Sequence, residues 1–159
     1  MLPYCFPSSS PKRKPHFTYA LTDEADGLFP KAYDLLLNQL IAVLKTRLGP
    51  ADTEDVLREV GRLVAANTPG GHDASLKSRV QKAVKVLEAI GGSAEIEQYD
   101  DKIVICGNGC PLAAAVSVHP EVCQLAEKLV AEIVKAPVHE KCDRETRPQC
   151  RFEIDTTST

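Results

Sequence analysis

At 159 residues, with 43% hydrophobic and 26% charged side chains, the chain is long enough for one ordinary domain or two small ones, and it has the balance of a globular protein with a real core. No apolar run approaches the roughly 20 residues of a membrane span, and the start, MLPYCFPSSSPKRK, lacks the apolar segment of a secretory leader, so a cytoplasmic protein is expected. A formal net charge of −3 and a sequence pI of about 5.8 argue against strong nucleic-acid binding by the chain alone.

Residues 1–15 are rich in Pro and Ser and read as a disordered tail or a basic hairpin tip, with Lys12, Arg13 and Lys14 in a row between Pro11 and Pro15. HFTYAL follows as a short strand, and Thr22 is placed to cap a helical turn whose early Asp23 and Glu24 suit the positive end of a helix dipole. The next helix, Lys31 to Leu48, carries Phe29, Tyr33, Leu36, Leu40 and Val43 at alternating steps of four and three, widened by Leu37 and Leu44, until Gly49 and Pro50 stop it. That is the stripe of a dimer seam or of a helix buried in its own core. The segment 16–49 therefore pairs one strand with a candidate dimerisation helix whose interface residues are Tyr33, Leu36, Leu40 and Val43.

From residue 50 to the end the pattern predicts an α+β unit. A helix over 51–67 has Val56, Leu57, Val60, Leu63 and Val64 on one side, and a helix over 73–90 turns Leu76, Val80, Ala83, Val84 and Leu87 inward before a Gly91-Gly92 stop. Periodicity then changes to alternation. SAEIEQY and KIVICG flank Asp100 and Asp101 as an antiparallel hairpin over 94–106. A helix over 120–135 opens with Pro120 at its first position and buries Val122, Ala126, Leu129, Val130 and Ile133. A second strand pair, 137–142 and 149–154, closes the unit. No repeat of solenoid length is present.

In a reducing compartment, six cysteines read as thiols, metal ligands or redox groups rather than a disulfide framework. Cys106 ends a strand and reads as a small buried hydrophobe, and Cys5 has no assigned role. The remaining four, Cys110, Cys123, Cys142 and Cys150, crowd the last third of the chain. Four thiolates satisfy a tetrahedral zinc or an iron-sulfur cubane. Their gaps of twelve, eighteen and seven residues do not follow the close pairs of a zinc knuckle, and packing of each thiol remains open on the residues alone. His119 fits a helix start, and His139 a solvated strand position. No nucleophile triad, phosphate-binding glycine loop or paired-carboxylate site stands out, so no enzymatic role is expected.

The order of motifs adds to this. FTYALTDEADGLFPKAYDLLLNQLI, two linking helices, then CPLAAAVSVHPEVCQLAEKLVAEIV and CDRETRPQCRFEI together resemble the winged-helix transcriptional regulators related to SufR, the iron-sulfur repressors of cluster-assembly genes. The likeness runs from about Pro11 to Ile154. It implies that Lys12, Arg13 and Lys14 fall at the tip of a DNA-contacting wing, that Lys31 to Leu48 is a dimerisation helix, and that Cys110, Cys123, Cys142 and Cys150 occupy the cluster-ligand region. The Cys110 to Cys123 gap agrees with that pattern, whereas Cys142 comes late. A winged helix also needs its recognition helix ahead of the wing, which predicts either a start cut short or a regulator that kept only its sensor and dimer parts. The resulting expectation is the dimerisation and sensor portion of an iron-sulfur-responsive or metal-responsive regulator, homodimeric and reaching DNA only through a missing N-terminal domain. The alternative is a thiol redox sensor or zinc-stabilised module without DNA binding.

Overall fold

A computed structural model describes residues 32–68, 75–144 and 148–156. Cys5, the basic run Lys12, Arg13 and Lys14, the strand expected over Phe17 to Leu21, and the turn after Thr22 lie outside the described residues. Within them the chain is α+β, as its periodicities require: helices with one four-stranded antiparallel sheet.

Helix α1 (Ala32–Leu48) ends where Gly49 takes φ 84°, a left-handed conformation that suits glycine, and Pro50 opens α2 (Pro50–Ala66) at its first turn. Helix α3 (Leu76–Ala89) begins at Ser75, whose hydroxyl accepts the Ser78 N–H at 3.3 Å. It stops with Gly91 at φ 94° and with the Gly92 N–H bonded to the Leu87 carbonyl at 2.9 Å, the wrap expected of the Gly-Gly pair. Strands β1 (Ala94–Gln98) and β2 (Lys102–Gly107) form the expected hairpin.

After the single turn α4 (Ala113–Val116) comes a correction. Pro120 does not open an α-helix: Pro120–Val122 is a 3-10 turn, and α5 (Cys123–Val134) starts at Cys123 itself. Strands β3 (Val138–Glu140) and β4 (Arg151–Asp155) complete the sheet in the order β1-β2-β4-β3. The two expected strand pairs are thus one sheet, because β4 pairs with β2 as well as with β3.

One face of the sheet packs on α3 and α5. Ile103 and Ile105 of β2 and Phe152 and Ile154 of β4 meet Val80, Ala83, Val84 and Leu87 of α3 and Leu129, Val130, Ile133 and Val134 of α5. Helix α2 lies on α5, and here the expected inner stripe needs correcting. Thr53, Leu57 and Gly61 are the buried residues of α2, while Val60 and Leu63 are exposed. The cause is close approach: a Cβ at Gly61 would stand 2.3 Å from the Leu125 carbonyl oxygen and 3.0 Å from the Leu129 nitrogen. The helices touch along the Thr53-Leu57-Gly61 ridge, so the bulkier positions turn outward. No helix among the described residues is long and apolar enough to cross a membrane.

Helix α1 has two faces of opposite kind. Ile41 is 1% exposed and sits in a second apolar cluster with Ala115, Val116, Val122 and Cys123. The outer face carries Tyr33 (84% exposed), Leu36 (65%), Leu40 (57%) and Val43 (54%). Those are the four positions read from the sequence as a dimer seam.

A candidate four-thiol centre

Four separate segments bring the four sulfurs to one place. Cys110 follows the turn after β2, Cys123 is the first residue of α5, Cys142 follows β3, and Cys150 precedes β4. The pairing of β2 with β4 does much of this work. Cys106 is opposite Arg151 in the ladder, and one step on, the Gly107 N–H donates to the Cys150 carbonyl at 2.7 Å. A side chain at Gly107 would press on Cys150, since a Cβ there would stand 3.1 Å from the Cys150 Cβ. Glycine at that position therefore lets the turn carry Cys110 back over Cys150. Across the β3–β4 connection, the Asp143–Gln149 bridge sets Cys142 near Cys150.

The thiols follow one another in space around the centre: Cys110 lies beside Cys150, Cys150 beside Cys142, and Cys142 beside Cys123. All four are free; Cys123 is buried and the other three are half-buried. Cys106, by contrast, is buried on β2, as expected of a small packing residue, and its Sγ accepts from Arg151 Nη1 at 3.5 Å. His119 is buried at the start of the 3-10 turn with Nδ1 3.7 Å from the Glu121 carboxylate, and His139 is exposed on β3. Both stand in the structural positions expected of them.

Electrostatics divides the four. The Cys150 thiol beside Cys110 holds the latter below the usual thiol range, and the Leu112 N–H adds to the effect against the opposing cost of burial. Cys150 is pushed up to about 12, first by Cys110 and then by burial, against a lowering contact from Cys142. Cys123 is raised by the Cys142 sulfur and by burial, against the Arg144 guanidinium. Cys142 is lowered by Cys123 but raised more by Cys150 and burial together. Closely packed sulfurs resist ionising together unless a cation joins them.

Three thiols have folded values above the unfolded value of about 8.5 and one is lowered. The three contribute stability that is fully present below pH about 8.5 and lost as pH rises toward their folded values, and the one lowered thiol acts in the opposite direction. The melting midpoint of metal-free protein is expected to fall between pH about 8 and about 10.5. A midpoint that holds or rises over that range contradicts the crowding of these thiols.

Sequence reasoning missed two residues of the centre. The Sγ atoms of Cys123 and Cys142 and a carboxylate oxygen of Glu140 all lie within 4.8 Å of one another, a group that can hold a metal ion. Glu140 accepts the Cys142 N–H at 2.6 Å, and Arg144 pairs with Glu140 while its Nε donates to Cys123 Sγ at 3.4 Å. The signal was available: in an extended segment, residues 140 and 142 share a side. Of the other sites read from sequence, Lys12, Arg13 and Lys14 fall outside the described residues, and the four seam residues lie on α1 away from the thiols.

No protein-family model matches the chain, and no curated protein matches it significantly. Fold and site together define an α+β domain with a four-thiol centre at the junction of its sheet, its α5 start and the inner face of α1.

Proposed function

We propose that this chain is the dimerisation and sensor portion of a metal-responsive transcriptional regulator with a helix-turn-helix reader, cytoplasmic and non-enzymatic, in which Cys110, Cys123, Cys142 and Cys150 hold an iron-sulfur cluster. The resemblance to the SufR-related regulators supplies the class. The observation that carries the reading is the convergence of four free sulfurs from four segments, each beside the next. A bound cluster would be held by the four side chains as thiolates, their protons released to solvent, and would supply the redox-sensitive or iron-sensitive chemistry. The chain's own residues orient the sulfurs, through the Leu112 N–H at Cys110 and the Arg151 N–H at Cys142 (3.3 Å).

The route to an output is short. Cys110 and Cys142 pack against the cluster that contains Ile41, and Leu37 of α1 packs there too. Asn38 donates to the Ala114 carbonyl at 3.3 Å, and Lys45 pairs with Glu121 at 2.7 Å, two residues before Cys123. Drawing the four sulfurs toward a common centre biases how α1 sits, and α1 carries the seam of a homodimer on its outer face. In this reading DNA is reached through Lys12, Arg13 and Lys14 at a wing tip and through a recognition helix ahead of them.

A second reading, a redox or zinc-stabilised module without DNA binding, is favoured by the adjacency of Cys142 and Cys150. Oxidation there would form one S–S bond, releasing two protons and passing two electrons to a peroxide. Iron-dependent absorbance after anaerobic purification separates the two readings. For the coupling itself, hydrogen exchange over residues 37–45 is the test: loading the centre is expected to slow exchange of α1 amides, and identical exchange in loaded and metal-free protein contradicts the coupling.

A further inference from the structure

The donor set beside Cys123 is not made of sulfur alone. Two thiols and one carboxylate oxygen lie mutually within 4.8 Å, and a tetrahedral zinc with bonds of about 2.0–2.3 Å needs ligand atoms roughly 3.3–3.8 Å apart, so small side-chain adjustments close the site. Glu140 is an unusual acid in its surroundings. Its side chain is 8% exposed, a depth at which a carboxylate needs a partner. One of its oxygens accepts the Cys142 N–H, and the other is held by Arg144. The same guanidinium reaches Cys123 Sγ, so a positive charge already bridges the carboxylate and the thiol.

We propose that Cys123, Glu140 and Cys142 form a mononuclear site for a thiophilic divalent cation, and that Arg144 is the internal cation which the metal displaces. The proposal rests on the reading that the thiol centre binds metal, and it names the ligand and the competitor that govern occupancy when no cluster is present. On binding, the two thiols lose their protons to solvent and the Arg144 guanidinium, 37% exposed, swings to water. Two thiolates and one carboxylate then face a dipositive ion, with the fourth position taken by water or by Cys150, the sulfur beside Cys142. Glu140 can keep its bond to the Cys142 N–H throughout, because only the oxygen released by Arg144 is needed. Cys110 has no part in this site. Zinc and a four-thiol cluster are accordingly mutually exclusive, since both use Cys123 and Cys142.

The test is zinc affinity, measured by competition with a chromophoric chelator on the reduced 159-residue chain under anaerobic conditions. Wild type is expected to take one zinc. Glu140→Gln, which preserves shape and can still accept the Cys142 N–H, is expected to weaken binding by roughly tenfold or more with an unchanged far-ultraviolet circular dichroism spectrum. Arg144→Gln is expected to tighten it, and Cys110→Ser to leave it unchanged. Equal affinity in Glu140→Gln and wild type overturns the carboxylate ligand, weaker binding in Arg144→Gln overturns the displaced cation, and loss of zinc in Cys110→Ser replaces this site with a four-thiol one. Iron and sulfide uptake in the same proteins separates the two levels. Cluster assembly without zinc binding sinks this site and leaves the cluster reading standing, whereas uptake of neither metal sinks both.

Discussion

Valine in place of Gly61 is expected to destabilise the domain by about 3 kcal/mol or more, the upper part of the range for overpacking a tight contact. The reason is the backbone of α5. A Cβ at this position would meet the Leu125 carbonyl oxygen at 2.3 Å, and neither partner is the movable end of a side chain. Relief requires α2 and α5 to separate along the Thr53-Leu57-Gly61 ridge, which opens the layer that covers the sheet helix. The helix-propensity gain from removing glycine, at most about 1 kcal/mol, does not offset this. Urea denaturation of the metal-free protein measures the change, and a valine variant as stable as wild type would show that α2 does not pack on α5 in this way.

The second large effect is on association. Tyr33, Leu36, Leu40 and Val43 are all more than half exposed on one face of α1, while Ile41 on the other face is buried. A contiguous apolar stripe of that length marks an interaction surface, and the steps of four and three match a helix-on-helix seam related by two-fold symmetry. Replacing Leu36 and Leu40 together by glutamate removes four leucines from a symmetric interface and puts four charges in their place. The expected loss is at least about 5 kcal/mol of association free energy, or more than roughly a thousandfold in Kd. Sedimentation equilibrium at tens of micromolar should therefore give a dimer for wild type and a monomer or aggregate for the double variant. A monomeric wild type removes the seam from the account.

The α+β class was legible because the helices carry apolar positions at helical spacing and β4 alternates, whereas the single turn α4 carries no such signal. The Gly91-Gly92 stop and the Gly49-Pro50 break were equally visible as turn chemistry. Helix α2 was misread on its buried face, since glycine in a stripe reads as a gap in hydrophobicity, whereas Gly61 is the contact itself. The 3-10 start at Pro120 was not visible either, because proline suits the first turn of either helix type. Uneven cysteine gaps looked like evidence against a common site. They are a consequence of the sheet, in which antiparallel pairing of β2 with β4 brings residues 107 and 150 together whatever their separation along the chain. Glu140 is legible only as an acid on the same side of the extended segment as Cys142, and a single acid two residues from a cysteine is no ligand signature by itself.

The most direct test of the central claim is the iron, sulfide and zinc content of anaerobically reconstituted protein, wild type beside Cys110→Ser, Cys123→Ser, Cys142→Ser and Cys150→Ser. A site that binds only the folded form couples occupancy to stability. Wild type is expected to take up stoichiometric iron and sulfide, and each of the four substitutions to lower that content and the melting temperature of the loaded protein, with zinc uptake kept in Cys110→Ser and lost in Cys123→Ser and Cys142→Ser. If wild type takes up no stoichiometric metal, or if all four variants match it, the four sulfurs are packing residues and the account of this domain as a metal sensor is wrong.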